Sequence, residues 1–276
     1  MASHITRRAS VAALAGLALL SAACSSASTT SSTTTGPGTS ARTLSIMVTN
    51  DDGVGAPGIN ALVQGLRTLP HTRITVVAPL TNESGTGGKT TTGTLVATPA
   101  VTASGFPATA VHGYPADTVI WAVRDHGLPF TPDLVVSGIN FGQNIGPLAA
   151  LSGTVGAARE AVSLGIPSLA ASQGVDNGAS PAFAEAVPLV NRWITQHRAE
   201  LLAHTHGATP LEANLNVPTC AGGSVRGPAT TVMAATGDAG ATTTVDCTST
   251  STSYANDLQA FEIGFATLTP LYPPGT

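Results

Sequence analysis

TLSIMVTNDDGVGAPGI, residues 43–59, joins an apolar run to two adjacent carboxylates and then to a glycine–proline turn. A short apolar run bounded by turn residues reads as a buried strand. Beyond the turn, Ile59, Leu62, Val63, Leu66 and Leu69 recur at helical spacing. Pro57 stands near the start of that pattern, where its fixed φ suits a first helical turn. Asp51 and Asp52 therefore fall at the carboxyl end of a strand, on the way into a helix.

The same alternation continues along the chain. RITVVAP (73–79), DLVVSGI (133–139), IPSLAAS (166–172) and LEANLNV (211–217) read as strands. SGTVGAAREAVSLG (152–165) reads as a helix, with Ser152 as its N-cap and Gly165 as its stop. Residues 181–203 are expected to be helical, with a break or kink at Pro188. Strands that are apolar throughout and separated by helices indicate a mostly parallel sheet covered on both faces, a doubly wound α/β fold. Ligands of such sheets bind outside the carboxyl ends of the strands. Two more polar clusters follow strands, TNESGTGG (81–88) and SGINFGQN (137–144), so all three are expected on one rim. Residues 219–256, rich in Gly, Ser and Thr, are expected to be a loop or irregular hairpin. LQAFEIGFATLTPL (258–271) is expected to resume as a strand-like extension.

The N-terminus belongs to a different kind of segment. Residues 1–24 carry Arg7 and Arg8, then the apolar run VAALAGLALLSAA, which is short for a membrane span. This is the pattern of an export signal, and the paired arginines leave the twin-arginine route open. The run ends in Ala22-Ala23-Cys24, which resembles a lipoprotein box and makes Cys24 the expected lipidation site. The Ser/Thr-rich tract over 25–41 suits a flexible tether. The folded domain is expected over 42–276, extracytoplasmic and anchored to the membrane by lipid. In an oxidising compartment Cys220 and Cys247 form an even pair, expected to be a disulfide.

Of the 276 residues, 42% are apolar and 9% charged, with a net charge of −4. No basic face is on offer to a polyanion, which argues against polymeric nucleic acid as the partner. On the rim, two neighbouring carboxylates repel each other, and a cation relieves that repulsion. Asp51, Asp52, the Ser84 hydroxyl and the Asn140 amide are an oxygen donor set with no His or Cys, which suits Mg²⁺, Mn²⁺ or Ca²⁺. Glycines around Ser84 and Asn140 leave backbone N–H groups open to phosphate oxygens. An Asp-Asp pair before Gly is also ordinary turn chemistry, and that reading stays open at this point.

TNDDGVGAPGI (49–59), VVAPLTNESGTGG (76–88), GYPADTV (113–119), PDLVVSGINFGQNIG (132–146), SGTVGAAREA (152–161) and NDLQAFEIGFATLTPL (256–271) together carry a resemblance to the SurE family, the survival protein E nucleotidases. The resemblance implies a Rossmann-like fold and hydrolysis of nucleoside monophosphates with a divalent metal, Mg²⁺ or Mn²⁺. It implies metal ligands at Asp51, Asp52, Ser84 and Asn140, with Asp51 or Asp52 as general base or nucleophile. Asn144 and the Ser152-Gly153-Thr154 turn are candidate phosphate contacts, with helix capping as their other role. The chain departs from the family's usual residues at Tyr114 and over 147–151. A homodimer, through the family's C-terminal arm, is left open. So are two rivals to metal-assisted hydrolysis: a tethered protein that binds a phosphorylated ligand with little or no turnover, and an aspartyl-phosphate phosphatase.

Overall fold

Leu44–Thr49 forms strand β1, and all six residues are buried. In the computed structural model, which describes residues 42–175, 183–205, 207–237 and 245–272, helix α1 follows at Pro57–Leu66 with Pro57 at its start. The expected signal segment, the linker and Cys24 lie outside the described residues. Strand β2 is Thr72–Pro79. Two short strands, β3 at Ala97–Val101 and β4 at Pro107–Val111, form an antiparallel pair. Helix α2 (Pro115–Val119) runs on into a wider turn over Ile120–Arg124. Strand β5 is Leu134–Phe141, followed by helix α3 at Gly153–Ser163 and strand β6 at Ser168–Gln173. Helix α4 spans Ala186–Ala203, and strand β7 spans Glu212–Val217. The chain closes with β8 (Arg226–Thr230), α5 (Asp257–Glu262) and β9 (Phe265–Thr269).

The nine strands make one sheet in the order β3-β4-β2-β1-β5-β6-β7-β9-β8. The pairs are parallel except β3–β4 and β7–β9. Successive strand residues point to opposite faces, and here both faces are covered. Leu44, Ile46 and Val48 pack with Ile59, Leu62 and Val63 of α1 and with Val190 and Ile194 of α4. Met47 packs on the other face with Val119 of α2 and Ala157 and Ala161 of α3. That double cover is why β1 is apolar at every position. From β1 the chain steps one way to β2, and β5 lies on its other side, so the crevice of the fold opens between β1 and β5.

Three expectations are corrected. The 258–271 segment is not strand throughout: Asn256 caps a short helix by accepting from the Gln259 N–H, and Leu258 and Phe261 bury one helical turn apart. Residues 219–256 are not wholly irregular, because β8 extends the sheet beside β9. Pro188 breaks nothing. It lies in the first turn of α4, where a missing N–H removes no helical bond. Gly165 takes a left-handed φ of +76° two residues beyond the end of α3, just after its C-cap Leu164, as a helix stop does. In the C-terminal part the Cα atoms of Cys220 and Cys247 lie 5.7 Å apart, within the span a disulfide bridges.

Candidate active site at the carboxyl ends of β1 and β5

Asp51 lies two residues beyond the end of β1 and is 2% exposed. One of its carboxylate oxygens accepts from the Thr154 hydroxyl at 2.5 Å. The Gly153 and Thr154 N–H groups at the start of α3 also donate to it. These bonds favour the charged form, but burial outweighs them and pushes the carboxyl above its ordinary range. Asp52 is half-buried, and its Oδ2 accepts from the Phe141 N–H at 3.1 Å. Burial, and then the neighbouring charge of Asp51, push it up to about 6. Among the described residues the ion pairs are Arg42–Asp133, Arg124–Asp125 and His197–Glu200, so no cationic side chain offsets either carboxylate.

The loop after β2 is tied to this pair. Glu83 donates its N–H to the Asp51 carbonyl at 2.7 Å, and Gly87 donates to the Leu151 carbonyl at 2.9 Å. The Ser84 N–H donates to the Asn82 side-chain oxygen at 2.9 Å, which fixes the local turn. Asn140, at the end of β5, gives its amide N–H to the Gly142 carbonyl, which leaves its side-chain oxygen for another group. Asp51, Ser84, Asn140, Asn144 and Ser152 all line one cavity of about 320 Å³. Asp52 lines a second, adjoining cavity, and Phe141 borders both. The carboxylate pair thus stands at the partition between two recesses.

The remaining expected site residues sort by their bonds. Ser152 caps α3, accepting from the Val155 N–H at 3.1 Å, and its residue also lines the first cavity. Gly153 and Thr154 face Asp51 and line neither cavity. Gly153 has no room for a side chain: a Cβ there would lie 2.8 Å from the Asp51 Cβ. Its close approach delivers the helix N–H groups to the carboxylate.

Asn144 is held by residues that the sequence reading passed over. Its N–H donates to the Asn216 side chain at 2.6 Å, and its carbonyl accepts from the Asn214 side chain at 2.8 Å. Its own amide donates to the Ser172 hydroxyl at 2.9 Å. Two residues further on, Asp257 accepts from the Gly146 N–H at 2.9 Å, tying this loop to α5. A signal was present: Asn214 and Asn216 alternate on one face of an otherwise apolar strand. Buried amides there require partners. Asp117 is a further anchor, fully buried and accepting from Thr91 and from the Tyr114 N–H.

The donor set fits a small divalent cation. It consists of oxygens alone, includes one buried and one half-buried carboxylate with no cationic partner among the described residues, and lies beside a cavity lined by polar side chains.

A family profile described as "Survival protein SurE" matches residues 46–238. A "5'-nucleotidase SurE" of Desulfovibrio desulfuricans is 37% identical over 186 residues, which cover 64% of this chain and 72% of that protein. A second, from Pelobacter propionicus, is 40% identical over 188 residues, covering 68% of this chain and 71% of that protein. The crystal structure of the SurE protein from Aquifex aeolicus superposes with a TM-score of 0.63 at 28% identity, over 84% of this chain and 94% of that one.

Proposed function

The chain belongs to the SurE family, and from that premise we propose that it is a divalent-metal-dependent phosphomonoesterase acting on nucleoside monophosphates. The observation that carries the reading is the pair Asp51–Asp52, held at the β1/β5 crevice with no cationic side chain to offset it among the described residues. Asp51, Asp52, Ser84 and Asn140 would hold Mg²⁺ or Mn²⁺. Bound there, the ion would neutralise charge on the phosphoryl group and lower the pKa of water.

The chain's own groups do the rest. Asp51 is fixed by Thr154 and by the start of α3, so its charge is already spread over several donors. That suits a holding role better than a nucleophilic one. Asp52 has one oxygen fixed by the Phe141 N–H and the other available to accept a proton from attacking water. The water oxygen then bonds to phosphorus, the ester P–O bond breaks, and the leaving nucleoside oxygen takes the proton that Asp52 has accepted. Asn144 and Ser152, in the cavity beside Asp51, supply polar groups for the phosphoryl oxygens. The N–H groups of Gly153 and Thr154 serve the phosphate only through Asp51.

The test uses the full chain with a panel of nucleoside 5'- and 3'-monophosphates. Phosphate release is followed with Mg²⁺, with Mn²⁺ and with EDTA. The expected result is release that EDTA abolishes and either ion restores. Release undiminished by EDTA would rule out the metal. Nucleotide binding by calorimetry without any release would establish the binding-only alternative.

We also propose that the chain works outside the cytoplasm, tethered through Cys24 and bridged at Cys220–Cys247. Support comes from the apolar run ending at Cys24 and from the 5.7 Å Cα separation of the other two cysteines. The intact mass of protein taken from the membrane fraction checks both parts. It should match a chain that begins at an acylated Cys24, and it should rise by two hydrogens on reduction. A mass without lipid removes the tether, and no change on reduction removes the bridge.

A further inference from the structure

On the Asp52 side of the carboxylate pair the second recess measures about 490 Å³, within the ~300–1,000 Å³ usual for small-molecule sites. Both recesses have mostly apolar surfaces, but they differ in side chains: six polar or charged residues line the first, against Asp52 and Asn82 among the described residues here. Pro57, Leu80, Phe141 and Phe183 supply apolar walls, and among the described residues Asp52 is the only ionisable one lining it. Phe141 and Leu80 are 51% and 44% exposed. A single exposed apolar side chain needs no explanation, but two facing one recess beside a reactive centre do. Phe141 also borders the cavity lined by Asp51, Ser84 and Asn140, so the two recesses meet at its ring.

We infer that this recess takes the nucleobase of the substrate, with Phe141 as the stacking platform. The inference rests on the nucleotidase reading and adds to it a location for specificity. A nucleoside monophosphate has a charged end and a neutral, planar aromatic end. The cavity lined by polar side chains suits the first, and the recess walled by apolar ones, with one carboxylate at its inner edge, suits the second. Asp52 and Phe141 form the partition, which the ribose must cross. Base–aromatic stacking tolerates any base because each has a π-face. One polar handle is present. Asn82 uses its side-chain oxygen to accept from the Ser84 N–H, and its amide N–H groups meet no partner among the described residues. They can donate to an acceptor on the base edge. With a single donor and an open platform, the recess favours large bases over small ones through stacking area and discriminates weakly between bases of equal size.

The experiment compares two esters in the full chain with the same metal ion: adenosine 5'-monophosphate and glycerol phosphate, which lacks a base. Kinetic constants are measured for wild type, Phe141→Ala, Phe141→Trp and Leu80→Asp. Because Phe141 and Leu80 are exposed, melting temperatures should stay close to wild type. The Phe141 N–H that serves Asp52 is kept in every variant. Phe141→Ala should raise KM for the nucleotide roughly tenfold or more. The ratio of kcat/KM for nucleotide over glycerol phosphate should fall by a similar factor, Leu80→Asp should lower it too, and Phe141→Trp should hold it near wild type. An unchanged ratio in Phe141→Ala, with both esters still cleaved, overturns the base site and leaves the phosphatase reading intact. The same unchanged ratio with an altered sedimentation coefficient would assign the recess to a second copy of the chain and also overturn it. Wild type that cleaves neither ester overturns both readings together.

Discussion

Asp51→Asn and Asp52→Asn should each lower turnover by more than about a hundredfold, because a metal and the groups it aligns commonly contribute several kcal/mol and ~1.4 kcal/mol is tenfold in rate. Asparagine keeps the shape of the side chain and an oxygen that can still accept from Thr154 or from the Phe141 N–H. The loss is therefore one of charge and ligand strength, not of packing. Metal affinity measured by calorimetry should fall in step. Turnover within a few-fold of wild type in both variants would mean that the pair is turn chemistry after all.

Asp52→Asn carries a second, opposite expectation when metal is absent. Burial and Asp51 push Asp52 up to about 6, so the folded state holds its proton more tightly than the unfolded chain does. A carboxyl raised in this way favours the fold while it is protonated. That contribution is complete below the ordinary value of 3.8 and is lost as pH rises through about 6. In EDTA, Asp52→Asn should therefore melt above wild type at pH 7.5, by roughly 1–2 kcal/mol once solvent screening is allowed for, and the gap should close towards pH 4. With saturating Mg²⁺ or Mn²⁺ the order should reverse, since only wild type gains the full binding energy. A gap that is constant with pH would mean that Asp52 is not strained by its surroundings.

The legible part of this chain was the part where one residue type has one physical use. Apolar strands read correctly because β1, β5 and β6 are covered on both faces and cannot alternate. The rim followed from topology, since β1 and β5 must deliver their carboxyl ends to the same crevice. What was missed has the opposite character. β3 and β4, ATPAV and PATAV, are short and half-exposed at the sheet edge, with prolines that a central strand would exclude. α2 is a single turn whose Asp117 looks like a surface charge in sequence but is a buried anchor. The ties on Asn144 join residues more than seventy positions apart in the chain for Asn216 and over twenty for Ser172. Spacing cannot show such bonds; only the amides buried in β7 hint at them. The two-cavity form of the site lay beyond the sequence for the same reason, because Phe141 stands there within the polar cluster 137–144 with nothing to mark it as a wall.

The glycines of the opening motif separate packing from chemistry in a way that substitution can measure. A Cβ at Gly58 would lie 1.9 Å from the Ile139 carbonyl oxygen and 3.1 Å from the Phe183 ring. The clash is with backbone, so no side chain can turn away to relieve it. α1 must move off β5, and with it the apolar contacts of Ile59 and Leu62. A Cβ at Gly55, three residues earlier, meets nothing within 4 Å. Gly58→Ala should therefore cost about 3 kcal/mol or more, at the upper end of overpacking penalties, and lower the melting temperature by roughly 6–12 °C. Gly55→Ala should leave it within about 2 °C, since a surface change away from such features is worth about 0.5 kcal/mol or less. Asn140 follows Ile139 directly, so the shift forced by Gly58→Ala also reaches a proposed metal ligand. Metal affinity should fall in that variant even at temperatures where it is fully folded, and Gly55→Ala should retain it. Equal melting temperatures for the two would show that α1 has slack against β5 and that Gly58 serves the turn alone.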